Sequence, residues 1–187
     1  VRRFLLCAHD KTGGQTSGLS ACRVLARRIP PGRDMRIEKI TERKKRFLDL
    51  LLLADEQEDM IDRYLGRADM FVLFDPDLKS LCVLTDEGEG VCELKNLATR
   101  VEYQGQGYAT RLLEHVFRHY RGKYSNMLVG TGENPRILAF YERRGFVFSH
   151  RLKNFFTDNY REPIVEEGVQ LVDMICLKKV FAAVGKA

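Results

Sequence analysis

Two short stretches hold residue types that could work together on a ligand. The first is Gln104-Gly105-Gln106-Gly107-Tyr108-Ala109-Thr110, which opens an amphipathic run. Gly105 and Gly107 let the backbone approach a ligand with no Cβ in the way. Ala109 keeps the first turn of the following helix close-packed. The N–H groups of residues 105–110 then have no helical acceptors, and the helix dipole lies behind them, so together they suit one anion. Gln104 could orient this loop or touch the anion. The second stretch runs from Asn134-Pro135 through Tyr141 to Gly145-Phe146. Asn134 is a good N-cap, Pro135 a good first helical residue and Gly145 a helix C-cap. Tyr141 follows Asn134 by about two helical turns, so both could face the groove between this helix and the preceding strand.

Other site chemistries fit less well. A strand-to-helix turn without a ligand is the plain alternative for the glycine loop. A dinucleotide fold would need a third glycine and an acidic residue on a second strand, and both are missing. No glycine stands where a phosphate loop ending in Gly122-Lys123 would require one. His115 and His119 have a spacing that zinc could use, but a third ligand is lacking and a solvated helix face accounts for them. The five cysteines, Cys7, Cys22, Cys82, Cys92 and Cys176, show no paired spacing. A disulfide framework or zinc site is therefore not expected, no metal is implied, and a reducing cytoplasm fits best. Cys82, Cys92 and Cys176 sit among apolar residues and read as core thiols.

The elements that must position these residues follow from periodicity. Met35 opens an alternating first strand. Lys44–Ala54 and Glu56–Leu65 read as helices, with Leu48, Leu51, Leu52, Met60, Ile61 and Leu65 on the apolar faces. Strands are expected at Asp69–Phe74, Ser80–Leu84 and Val91–Thr99, with Thr85–Gly90 as a turn by composition. Tyr108–Tyr120 is a helix whose Leu112, Leu113, Val116 and Phe117 share a face. Asn126–Gly130 is a strand, Pro135–Arg144 a helix, Phe146–Lys153 a strand and Val169–Val180 the last strand. Phe155–Gly168 reads as a long polar loop.

The bulk properties narrow the class. With 187 residues, 44% hydrophobic and 30% charged, the chain suits one ordinary globular domain. Its longest apolar run, Phe47–Ala54, is broken by Asp49 and cannot span a bilayer, so no membrane partner is expected. The net charge of +5 lies wholly in residues 1–34; residues 35–187 are neutral. The body therefore offers no basic stripe for nucleic acid. Residues 1–34 form a basic extension with Gly13-Gly14 and Pro30-Pro31, poorly ordered or not native, and three readings compete for it. Met35 is the true start, or the arm is an Arg-rich targeting peptide, or it is a flexible arm touching an acidic partner; the clean onset of pattern at Met35 favours the first.

The two stretches together resemble the GCN5-related N-acetyltransferase (GNAT) superfamily. Gln-x-x-Gly-x-Ala, as Gln104, Gly107 and Ala109, is similar to its cofactor loop. Asn-x-x-x-x-Ala-x-Tyr-x-x-x-Gly-Phe, as Asn134, Ala139, Tyr141, Gly145 and Phe146, is similar to the region that follows, and Cys92–Thr99 and Phe155–Asp173 look like small stand-alone bacterial members. The resemblance implies an α/β fold over residues 35–187: a mixed, mostly antiparallel sheet of six to seven strands with helices on both faces. It implies acetyl-CoA as co-substrate and direct acetyl transfer to the primary amine of a small molecule or peptide, by a monomer or homodimer. Residues 105–110 would hold the pyrophosphate, although Arg is commoner than Gln104 at its place. Leu97, Ala98 and Thr99 would lie on a strand splayed from its neighbour, pairing with the pantetheine arm and holding the oxyanion through backbone N–H. Asn134 would contact pantetheine or simply cap its helix. Tyr141 would protonate the departing thiolate, or be a core aromatic beside Phe140. Glu93 is the best candidate for the base that deprotonates the amine; a surface carboxylate paired with Lys95, or a water chain, are the alternatives. Carboxylates in Asp158–Glu167 could attract a cationic amine, or be solvated. A non-catalytic acyl-CoA-binding module and a dinucleotide-dependent hydride-transfer enzyme are the rival classes.

Overall fold

A computed structural model of the chain describes residues 34–182, so the expectations for the N-terminal arm fall outside the described residues. The chain begins with β1 (Arg36–Ile40), a 3-10 turn (Lys44–Phe47), α1 (Leu48–Leu51) and α2 (Glu58–Leu65). Three antiparallel strands follow: β2 (Asp69–Phe74), β3 (Leu78–Gly88) and β4 (Val91–Thr99). Then come α3 (Tyr108–Tyr120), β5 (Asn126–Thr131), α4 (Pro135–Glu142) and β6 (Val147–Leu152). The chain closes with α5 (Phe155–Asn159), a small hairpin of β7 (Val165–Glu166) and β8 (Val169–Gln170), and β9 (Met174–Val180). Among the described residues no helix is long and apolar enough to cross a membrane.

Seven strands form one sheet in the order β1-β2-β3-β4-β5-β9-β6, and only the β4–β5 pair is parallel. Strand alternation sends apolar side chains to both faces, so each face needs cover. On one face Leu112, Leu113 and Val116 of α3 and Ile137 and Tyr141 of α4 pack on Phe71, Leu73, Leu84 and Leu94. On the other, Leu50, Leu51, Ile61 and Leu65 of the first two helices pack on Met70, Val72, Leu81, Val83 and Ala98. The mixed sheet with helices on both faces is the expected architecture.

Three expected segments differ. The strand expected at Ser80–Leu84 runs on to Gly88, because Thr85, Asp86 and Gly88 pair with Glu93, Cys92 and Val91 of β4. The turn shrinks to Glu89 and Gly90, both at positive φ, as a tight hairpin requires. The expected long loop at Phe155–Gly168 instead holds α5 and β7. Phe156, Ile164 and Leu171 form a small core of their own there, and Val169–Gln170 pairs in the hairpin instead of starting the last strand. The first helix is also shorter than Lys44–Ala54, with its opening turn wound as 3-10.

Candidate active site

The glycine loop follows β4. Gly107 has φ 88° and is the N-cap of α3, and a Cβ there would meet nothing within 4 Å. Backbone conformation therefore calls for glycine, and open space lies over it. The first helical bond runs from Arg111 N–H to Gly107 O at 3.0 Å, and among the described residues the N–H groups of residues 105–110 reach no acceptor. The side chains of the loop serve the scaffold. Gln104 Nε2 donates to Thr99 O at 3.1 Å and Gln106 Nε2 to Glu102 O at 3.1 Å. Tyr108 donates its hydroxyl to Asp75 at 3.0 Å, Ala109 is buried, and the Thr110 hydroxyl accepts from Arg144. What these residues offer a ligand is main chain. Lys79 rests its ammonium 3.6 Å from the ring centroid of Tyr103, bringing to the base of the loop a positive charge that sequence pattern does not flag.

The strand before the loop parts from its neighbour. β4 pairs with β5 only from Val91–Leu94 against Asn126–Val129, and from Lys95 to Thr99 it has no strand partner on that side. The cause lies in its register with β3: Leu84 faces Leu94 and Val83 faces Asn96, so Lys95 is an extra residue, a β-bulge. The bulge turns Leu94 and Leu97 to the same face and sends the Asn96 amide across the sheet to Leu51 O and the Tyr64 hydroxyl. Between the parted strands lies a cleft walled by Leu94–Ala98, Val129–Thr131, Ile137 and Tyr141. Asn96 is also on this wall, and its buried Oδ1 has no hydrogen-bond partner among the described residues.

Tyr141 is 5% exposed, with its ring edge-on to Phe140 and Phe146. It is thus a core aromatic and a cleft residue together. Its main chain is pinned by the helix stop, where Phe146 N–H bonds Tyr141 O at 3.2 Å. Its hydroxyl has no hydrogen-bond partner among the described residues, and burial pushes its pKa up, so the phenol keeps its proton at neutral pH. Asn134 caps α4 through Oδ1 to Arg136 N–H at 3.0 Å and donates Nδ2 to Glu166 at 3.1 Å. It lines a cavity with Glu166 and Leu171, and Tyr141 lines the cleft. Glu166 is buried, its Oε1 has no partner among the described residues, and burial pushes it up to about 7.

A second cavity, of about 370 Å³, shares Leu94, Lys95, Val129 and Gly130 with the cleft and opens on the α2 side. Glu93 is on its wall, with Oε2 2.5 Å from Lys95 Nζ, which matches the ion-pair alternative. Asp55, from the link between α1 and α2, is there too and is 6% exposed. Its oxygens accept from the Tyr160 hydroxyl at 3.1 Å and the Tyr64 hydroxyl at 3.4 Å. Burial pushes Asp55 up to about 6, against the pull of the Tyr160, Gln57 and Tyr64 donors. Sequence reasoning missed Asp55, Tyr64 and Tyr160, because an acid between helices and a tyrosine in a polar stretch look solvated until the chain folds. Among the carboxylates of Asp158–Glu167, none lines this cavity.

The remaining candidates belong to the scaffold. Cys82, Cys92 and Cys176 are buried and free, and burial pushes the Cys92 thiol to about 12. His115 and His119 stack on one another and set their edges against Phe71.

A family model described as an acetyltransferase (GNAT) domain matches residues 58–148. The uncharacterised N-acetyltransferase YvbK of Bacillus subtilis (strain 168) is 31% identical over 146 residues, which is 76% of this chain and 94% of that protein. Among solved structures, a GNAT family acetyltransferase from Elizabethkingia anophelis with acetyl-CoA bound superposes with a TM-score of 0.75 at 33% identity, covering 80% of this chain and 99% of that one. A Bacillus subtilis acetyltransferase in complex with CoA gives 0.72 at 29% identity, covering 79% and 99%.

Proposed function

The chain belongs to the GNAT acetyltransferase family, and we propose that it transfers the acetyl group of acetyl-CoA directly to the primary amine of a small molecule or peptide, with Tyr141 as general acid. One observation carries the reading: β4 and β5 part around a cleft whose wall holds a buried, unpartnered phenol, and β4 leads into a loop of uncommitted amides. The fit to acetyl-CoA is chemical. Backbone N–H groups of residues 105–110 at a helix start suit its diphosphate. The edge of Leu97–Thr99 that no strand covers suits the amides of its pantetheine arm.

Within this reading the residues divide the work. Backbone N–H of the parted strand stabilises the oxyanion that forms when the amine adds to the thioester carbonyl. Tyr141 gives its proton to the sulfur as the carbon–sulfur bond breaks. Glu93 borders the acceptor side but would give up its contact with Lys95 to take a proton. Asn134 acts through the fold, capping α4 so that Tyr141 stays at the cleft wall. The test is CoA binding by calorimetry, followed by thiol release from acetyl-CoA across a panel of amines. Tight binding with amine-dependent release is the expected result; no binding, or release that no amine accelerates, would sink the reading.

A further inference from the structure

We infer that Asp55 binds the acceptor's ammonium group and takes its proton, and that the acceptor is a small primary amine on an apolar body. The inference rests on the acetyl-transfer reading above. Its first support is a missing charge. Asp55 is a buried carboxylate that makes no ion pair among the described residues and is held only by neutral donors, the Tyr64 and Tyr160 hydroxyls and the backbone of Gln57. A buried anion without a cation is costly, and a ligand ammonium in the adjoining cavity would supply the partner. The second support is the cavity. About 370 Å³ suits a small molecule. Met60, Leu128, Leu152, Phe155 and Met174 give it apolar walls. The third is adjacency: cavity and cleft share wall residues, and Asn96 Nδ2 donates to the Tyr64 hydroxyl, which donates to Asp55. An amine on Asp55 therefore lies in the chamber next to the thioester path.

The charged and titratable neighbours leave Asp55 this role. Glu93 and Lys95 on β4 pair with each other. On α2, Asp59 pairs with Arg161, and Arg63 bonds the Asn159 amide. Beyond α2, Arg67 is held by Glu87; His150 enters from β6 and bonds Ser149. A carboxylate pushed up to about 6 is ionised at neutral pH and still close enough to accept a proton. Asp55 takes one proton from the ammonium. The neutral nitrogen adds to the carbonyl carbon, the carbon–sulfur bond breaks, and Tyr141 protonates the sulfur. The second nitrogen proton restores Tyr141, and Asp55 releases its own to solvent, so acetamide, CoA thiol and one proton leave.

The test uses the full chain with 2-phenylethylamine and, separately, a short peptide with a free N-terminus. The amine should exceed the peptide in kcat/KM by about 10-fold or more, and the rate should have an acidic limb near pH 6. Asp55→Asn should keep its CoA affinity, bind 2-phenylethylamine about 10- to 100-fold more weakly by calorimetry, and lose the acidic limb. Tyr160→Phe removes a bond that holds Asp55 down, so it should move the limb to higher pH. Preference for the peptide, or an Asp55→Asn chain with unchanged amine binding and limb, would overturn the inference alone. Should Asp55→Asn fail to fold, an unmoved limb in Tyr160→Phe overturns it. A wild-type chain that does not bind CoA would overturn the acetyl-transfer reading beneath it.

Discussion

Tyr141 does two jobs with one side chain: its ring fills the core between Phe140 and Phe146, while its hydroxyl stays unpartnered at a cleft. Tyr141→Phe keeps the ring and removes only the proton. Turnover should fall about 100-fold or more, the range typical of a lost general acid. Acetyl-CoA affinity should hold, and so should thermal stability, since no bond in the fold is broken; steady-state kinetics and a melting curve check all three. At this scale the motif residues were legible. Tyr141 could be found because helical spacing and the stop at Gly145 are written locally. Asn134 was half legible: the cap is local, but the bond to Glu166 joins residues far apart in the chain. Asp55 was invisible, because its burial and both its hydroxyl donors arrive through tertiary packing.

Among elements, the loop and the bulge set the site. Gly107→Ala would place a β-carbon on an N-cap at φ 88°, where space is open but the backbone is unfavourable. The expected loss is roughly 1–2 kcal/mol of stability. CoA affinity should also fall, as relaxing the strain turns the loop amides away; chemical denaturation and calorimetry measure the two. The strand expected at Val91–Thr99 was read to the residue, yet its extra residue at Lys95 was not, because a bulge appears only against the facing strand. The polar stretch after β6 hid α5 and the β7–β8 hairpin for a related reason. Elements this short have little periodicity, and they form by burying Phe156, Ile164 and Leu171 against each other.

For the molecule as a whole, two buried acids shape stability against pH. Glu166 and Asp55 are both raised in the folded state, so folding favours their protonated forms. Stability from Glu166 is full below about pH 4.5 and is lost as pH rises toward about 7. Glu166→Gln should match the wild type near pH 5 and exceed it at pH 8, by on the order of 3 kcal/mol; urea unfolding at the two pH values decides, and an equal difference at both would refute it. Outside the polar stretch after β6, the order of strands and helices was legible because each segment's apolar pattern agrees with its place on the sheet. The parting at β4 and β5 was expected only by likeness to relatives, since nothing local forbids those strands from zipping shut. That gap makes the sheet an unfinished ladder, with bare rungs in its middle. On the acetyl-transfer reading, ample coenzyme in the surrounding solution would supply the missing rung and hold the folded form by mass action.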